Sequence, residues 1–396
     1  MRVLLAFDKF KDALSAPAAV AAAAAGVPGG AAWSIDRCPL TDGGEGFAEI
    51  LTLAAGGEWH RAVVSGPRGA RVEAGWGMVL VDRIPPAALE LLRLPSLGAG
   101  ARLAVVELAQ ASGLALLPAT ERDPWCTSTR GTGELLRAAV ETGVDAVLLG
   151  LGGSATHDLA LGALAALGWT FVDQQGQPCP NPVPANWDEI MRIESPCDGS
   201  RPLLRIACDV DNPLLGPRGA AAVYAPQKGL RAGDYADLER ATARMAEMLA
   251  QAAGRPAELH EVPGAGAAGG TAFGLLCGLD AQLVAGFELV VAWFDLEQRI
   301  READVILTGE GRFDESSLAG KGPGTVVRRA LQLGRPVHVL AGQIALQSPP
   351  AGVQFHGITP AGLALPDALA RTAGNLTAAV ARVLEHPPRI SPTIST

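Results

Sequence analysis

Residues 305–324 read VILTGEGRFDESSLAGKGPG. A short branched apolar run enters a Gly-Glu-Gly turn, and Arg312, Asp314 and Lys321 follow. A carboxylate just beyond a buried strand can hold a metal ion or accept a proton, and a guanidinium or ammonium beside it can neutralise phosphate or carboxylate charge. Glu310 and Asp314 are candidates for the first task, Arg312 and Lys321 for the second. A solvated loop with ordinary charges has the same composition, so the rest of the chain must decide.

Five further stretches carry similar chemistry. In DKFKDALSA (8–16), Asp8 could hold a metal or accept a proton and Lys11 could hold a phosphoryl oxygen; a charged surface turn accounts for the same residues. TDGGEGFAEIL (41–51) sets Asp42 and Glu45 around Gly43, Gly44 and Gly46 at a helix start. Acidic residues there are ordinary capping, but so many glycines cost helix stability and suit close approach of a ligand. TSTRGTGELL (127–136) combines Ser128, Thr129, Arg130, Gly131 and Gly133, which suits an anion or a plain N-cap. GLGGSATHDLALG (150–162) reads as strand, glycine turn and helix start, a phosphate-cradle pattern built on Gly152, Gly153, Ser154, Thr156 and Asp158. His157 beside them is as consistent with a solvated helix position as with catalysis.

PGAGAAGGTAFG (263–274) contains a formal G-x-G-x-x-G at Gly264, Gly266 and Gly269. The dinucleotide fingerprint needs a preceding strand, and ELHEVP is a poor one, so a nicotinamide dehydrogenase is rejected. A glycine-rich helix start facing a nucleotide phosphate remains. A Walker A loop is excluded as well, because Glu315 and Gly322 stand where its first glycine and its Ser or Thr belong.

These residues need elements to hold them. Apolar runs at 3–7, 104–108, 146–151, 204–208, 305–308 and 337–341 alternate with helical segments, the pattern of a parallel sheet covered on both faces. Ligands of such sheets lie beyond the carboxyl ends of the strands, and Asp8, Asp209 and Glu310 all fall there. A helix should start at Ser15 with Pro17 in its first turn. Residues 62–81 alternate and turn at Gly66-Pro67 as an antiparallel hairpin, whereas 172–202 read as irregular loop. Both are assigned to a second domain inserted into the first.

With 396 residues, two domains are the expectation. A net charge of −9 excludes the basic face of a nucleic-acid binder but leaves a phosphorylated ligand possible. Six scattered cysteines without zinc-ligand spacing, a short apolar run before Asp8 and no long apolar stretch give a soluble cytoplasmic protein with no membrane partner.

Taken in order, AFDKFKDALSA, PLTDGGEGFAEIL, VELAQASGL, TSTRGTGELL, GLGGSATHD, ACDVDNPLLGPRGAAAVYAPQKG, PGAGAAGG and VILTGEGRFDESSLAGKGP resemble the bacterial glycerate kinase family of the first type. The resemblance implies ATP-dependent, Mg²⁺-assisted phosphorylation of D-glycerate, with 2-phosphoglycerate favoured as product, in a cleft between two domains of a monomer or homodimer. It implies an α/β fold with a Rossmann-like parallel-sheet domain (1–62, 125–165, 295–385) and an inserted smaller α/β domain (63–124, 166–294), while the terminal HPPRISPTIST (386–396) reads as a disordered tail. Carried onto matching positions, the expected catalytic set is Asp8, Lys11, Asp42, Asp209, Glu310 and Arg312. Substrate and nucleotide would be bound by Gly43, Gly44, Glu45, Ser128, Gly131, Gly152, Gly153, Ser154, Thr156, Asp158, Gln227, Lys228, Gly264, Gly266, Gly269 and Lys321, and Mg²⁺ by Asp314 and Glu310. One departure stands out. Leu159 and Ala160 occupy positions where the family has two glycines, and a left-handed backbone there would strain them. A kinase of a related hydroxy acid or a non-catalytic nucleotide- or ligand-binding relative are the alternatives.

Overall fold

A computed structural model describes residues 1–29, 32–41, 43–94, 97–196, 202–319 and 322–385. The chain forms two compact units, one from residues 1–42 and 290–396 and the other from residues 43–289. The first unit opens with β1 (Arg2–Phe7) and β2 (Ser34–Arg37). The inserted unit carries β3 (Glu58–Ser65), β4 (Arg71–Leu80), β5 (Arg102–Glu107), β6 (Ala146–Gly150), β7 (Thr170–Asp173), β8 (Ile190–Glu194), β9 (Leu203–Ala207) and β10 (Gln282–Val284). The chain returns to the first unit with β11 (Val305–Gly309), β12 (Arg312–Asp314), β13 (Val337–Ala341), β14 (Gln343–Ala345) and β15 (Val353–Gly357).

In the first unit a five-stranded parallel sheet runs β15-β13-β11-β1-β2. Its central strands are buried almost throughout, as expected when helices cover both faces. Helix Ala16–Ala25 begins as expected, with the Ser15 hydroxyl accepting from Ala18 N and Pro17 in the first turn. A Cβ on Gly26 would lie 2.2 Å from the Thr377 carbonyl oxygen, so the glycine lets this helix end close against helix Thr372–Glu385.

The inserted unit holds a six-stranded mixed sheet, β10-β9-β6-β5-β4-β3. Strands β10, β9, β6 and β5 are mutually parallel, and β4 and β3 run antiparallel as the hairpin expected at 62–81. The loop expected over 172–202 contains β8, which pairs with β7.

Two expectations change. The apolar runs form two sheets, so Asp8 and Glu310 stand at one sheet's carboxyl edge and Asp209 at the other's. The inserted unit is the larger of the two, and residues 43–62 and 125–165, expected with the outer sheet, belong to it because β3 and β6 hydrogen-bond into its six strands. Apolar patterning cannot tell which of two parallel sheets a strand joins. The expected tail lies outside the described residues.

Candidate active site

In the first unit, β1 and β11 pair in parallel with Phe7 opposite Gly309. Asp8 and Glu310 are the next residues on each strand, so the register itself sets these carboxylate-bearing positions side by side. Asp8 N donates to the Gly309 carbonyl oxygen (3.0 Å), and Lys9 N donates to Asp8 Oδ1 (2.6 Å). A Cβ on Gly311 would lie 3.3 Å from Lys11 N, and one on Gly322 would lie 3.2 Å from Asp8 Oδ2. The DKFK turn, the Gly-Glu-Gly turn and Gly322 therefore crowd one strand-end locus. Lys11 and Arg312 are exposed there. Lys321 lies outside the described residues.

Asp314 is engaged within its own loop. Its Oδ1 accepts from Ser316 N (3.0 Å), Ser316 Oγ (2.5 Å) and Ser317 N (3.4 Å), and its Oδ2 from Arg312 Nε (3.2 Å). The Ser316 hydroxyl, ahead of the other contacts, holds this carboxyl below its ordinary range. Asp314 thus caps helix Glu315–Ala319, and these donors account for its position without a metal. Among the described residues no group of three or more His, Cys, Asp or Glu could hold a metal ion.

In the inserted unit, two glycine turns meet. Gly152 N donates to the Gly43 carbonyl oxygen (3.0 Å), and a Cβ on Gly152 would lie 2.4 Å from Gly44 Cα. Gly43, at φ 85°, needs the left-handed conformation. Glu107, the last residue of β5 and 1% exposed, braces the first turn: its Oε2 accepts from Gly46 N (3.0 Å) and Ala48 N (3.4 Å), at the start of helix Phe47–Ala54. Glu45 is exposed. Asp42 lies outside the described residues.

The second turn runs into a deeply buried segment. Asp158 is fully buried, and its Oδ2 accepts from Thr129 N (2.7 Å), Thr129 Oγ1 (2.8 Å) and Gly162 N (3.2 Å). It thereby joins the starts of helices Arg130–Glu141 and Leu161–Ala166. Burial pushes its pKa up to about 6, against the pull of those donors. Ser128 Oγ accepts from Arg130 N (3.2 Å) in the same turn. His157 Nε2 lies 3.0 Å from Thr242 Oγ1, which donates its own proton to the Leu238 carbonyl (2.7 Å), so His157 carries its proton on Nε2. Burial first, and then the Lys228 charge, lower its pKa to about 3. His157 is neutral and interior, neither solvated nor poised for proton transfer at neutral pH.

Several glycines expected to admit a ligand admit the protein's own backbone. A Cβ on Gly131 would meet the Ser65 carbonyl oxygen at 1.7 Å, one on Gly266 that of Pro213 at 2.3 Å, and one on Gly269 that of Thr156 at 2.1 Å. Gly264 packs against Cys208 Sγ, 3.1 Å from its notional Cβ. Gly153 is exposed, at φ 73°, with no contact closer than 3.4 Å. The strain foreseen at Leu159 and Ala160 is present: both are left-handed, at φ 52° and 58°, and both are fully buried.

Asp209 follows β9 and is half-buried; its Oδ2 accepts from Phe287 N (2.8 Å) at the start of helix Gly286–Trp293. Gln227 is exposed, whereas Lys228, the next residue, is 1% exposed. The brace Glu107 lies in VELAQASGL, one of the stretches that carry the family resemblance, but sequence reasoning assigned it no role. Its signal was an acidic residue ending an apolar strand.

A parallel sheet and a mixed sheet, with acidic and glycine-rich turns beyond parallel strand ends, define the class: an α/β protein of the kind whose ligands lie on strand-end loops. The glycerate kinase family matches residues 3–386, and the chain belongs to it. It is 37% identical to a glycerate kinase of Bacillus subtilis over 96% of this chain and 98% of that one. It is 34% identical to a glycerate 2-kinase of Escherichia coli, covering 90% and 89%. The crystal structure of a Salmonella typhimurium LT2 protein assigned as glycerate kinase 2 superposes with a TM-score of 0.73, at 31% identity, over 97% of each chain.

Proposed function

We propose that this enzyme transfers the terminal phosphoryl group of ATP to a hydroxyl of D-glycerate, giving 2-phosphoglycerate and ADP. Membership of the glycerate kinase family carries the reading, and the side-by-side strand-end positions of Asp8 and Glu310 support a site there. Phosphoryl transfer asks a protein mainly for positioning and charge neutralisation, which strand-end carboxylates, cations and glycine turns supply. The glycerate hydroxyl oxygen forms the new bond to phosphorus, the bond from that phosphorus to the bridging oxygen of ADP breaks, and a carboxylate takes the hydroxyl proton. Asp209 and Asp42 are the carboxylates proposed for that proton. Arg312, Lys11 and Lys321 are proposed to offset phosphate and carboxylate charge, and the Gly43–Gly44 and Gly152–Ser154 turns to hold substrate or nucleotide. Bound Mg²⁺ would be held in part by the strand-end carboxylate of Glu310 and would supply further neutralisation of phosphate charge. The enzyme is proposed to work in the cytoplasm as a monomer or homodimer. Among the described residues no helix is long and apolar enough to cross a membrane.

Leu159 and Ala160 both adopt the left-handed conformation that glycine takes most readily, so the loop can be formed with these residues in place. The test is ADP release by the purified protein with Mg-ATP and D-glycerate, with L-glycerate as control and the product identified by NMR. Turnover on the D form with phosphate on the 2-position is expected. Absence of turnover overturns the proposal, and a 3-phosphorylated product overturns the regiochemistry.

A further inference from the structure

Lys228 was expected to touch ligand, and the structure instead encloses it. The residue ends the single turn Pro226–Lys228 and is 1% exposed. Gly229 follows at φ 99°, and a Cβ there would lie 2.2 Å from the Arg122 carbonyl oxygen, so the turn cannot be swung outward without moving backbone. Two of the three ammonium donors are spent on the glycine loop: Nζ donates to Ser154 Oγ (2.8 Å) and to the Thr156 carbonyl oxygen (2.6 Å). We propose that Lys228 is a positioning residue, a buried cation that holds residues 154–156 in the shape the reaction needs and does not itself contact ATP or glycerate.

The cost of the arrangement supports this. A buried ammonium gives up its hydration, and an apolar side chain of the same length would fit the interior at less expense. Burial draws the Lys228 pKa down to about 7, with the Asp158 charge opposing. The amine is retained where stability alone would discard it, and its two engaged donors go to one short loop. That loop is gripped from its other sides by Thr242 through His157 and by Thr129 through Asp158. Lys228 anchors its beginning, between the exposed Gly153 and the interior.

The inference rests on the proposed kinase activity, so wild-type turnover is measured first. Lys228→Met keeps the buried stem and removes charge and donors. It is expected to melt no earlier than the wild type, to lose about 100-fold in kcat, the penalty typical of a misplaced reacting group, and to hold KM for ATP and D-glycerate within about threefold. A kcat within about threefold of wild type overturns the proposal. So does a KM raised about tenfold with kcat preserved, which would mean direct ligand contact. Ser154→Ala removes one partner alone and guards against a misfolded Lys228→Met; it should lower kcat in the same direction, and an unchanged kcat counts against the proposal. Amide exchange is independent of turnover. Lys228→Met should speed exchange across residues 153–158 and leave the β5 and β6 amides protected, and equal protection of the loop overturns the positioning role even if wild-type kinase activity proves absent.

Discussion

Replacing Gly269 by alanine tests the closest packing around the glycine loop. Gly269 sits at φ 67°, and its notional Cβ lies 2.1 Å from the Thr156 carbonyl oxygen and 2.6 Å from His157 Cα. Two separable costs follow. The left-handed conformation charges an alanine about 1–2 kcal/mol. The contact adds about 1–3 kcal/mol of overpacking, because the opposing atoms are backbone and cannot rotate away. Gly153→Ala is the matched control: its φ is 73°, but its nearest neighbour, Ala109 Cβ, is an ordinary 3.4 Å away. It should cost only the conformational part, about 1–2 kcal/mol. Urea unfolding of both variants, followed by a probe within residues 43–289, reads the difference. Gly269→Ala should unfold at lower urea than Gly153→Ala by about 1–3 kcal/mol, roughly 2–12 °C if melting is followed instead. Equal costs would refute the close approach of residues 156–157 to the helix that begins at Ala267.

Leu159→Gly and Ala160→Gly should separate in sign. Both relieve about 1–2 kcal/mol of left-handed strain, but removing the buried Leu159 side chain costs at least the 2–5 kcal/mol of a core truncation, so Leu159→Gly destabilises while Ala160→Gly is neutral or stabilising; the opposite order in thermal melts would overturn the reading. His338 on β13 stacks on His356 on β15, with Nδ1 and Nε2 3.1 Å apart, and burial first and then His356 lower its pKa to about 4; burial and then Arg382 of the C-terminal helix lower that of His356. The unfolded chain binds this proton near pH 6.5 and the folded one only near 4, so His338's contribution to stability is full above 6.5 and falls by about 3 kcal/mol as pH drops to 4. His338→Gln should flatten that slope in urea unfolding at pH 7.5, 6, 5 and 4.5, and parallel curves would refute the assignment. Glu107→Ala, by depriving Gly46 and Ala48 N–H of their buried acceptor, should cost about 2–3 kcal/mol by urea unfolding, against about 1 kcal/mol for Glu107→Gln; equal losses would show that the acceptor oxygen is not what matters.

The strands were legible because a strand buried on both faces leaves a compact apolar run. The runs at 3–7, 146–151, 305–308 and 337–341 became Arg2–Phe7, Ala146–Gly150, Val305–Gly309 and Val337–Ala341. Glu310 and Asp8 were legible as strand-end residues for the same reason. The division into two sheets was not, since pairing partners leave no local mark. Nor was the state of Lys228 and His157. A lone Lys or His reads as surface, and only residues brought from distant segments, Ser154 for one and Thr242 for the other, make the interior bearable. Glycines mislead in the opposite direction. Gly131 and Gly266 have the composition of an anion cradle, yet the groups that exclude a Cβ there are the carbonyls of Ser65 and Pro213.

The left-handed pair Leu159–Ala160 also bears on the order in which the protein folds. Neither residue chooses that conformation locally, and Ala268, Gly269 and Gly270 form a second left-handed run inside helix Ala267–Leu279. The two runs meet: a Cβ on Gly270 would strike Leu159 Cδ2 at 2.2 Å, and one on Gly274 the Leu159 carbonyl at 1.8 Å. They are roughly 110 residues apart in sequence, so a long loop must close before either is rewarded for its strain. We expect this junction to be absent from the folding transition state and to form after the six-stranded sheet. Substitutions at Ala160 should then change the unfolding rate and leave the folding rate nearly untouched, and a φ-value near one would show the reverse order.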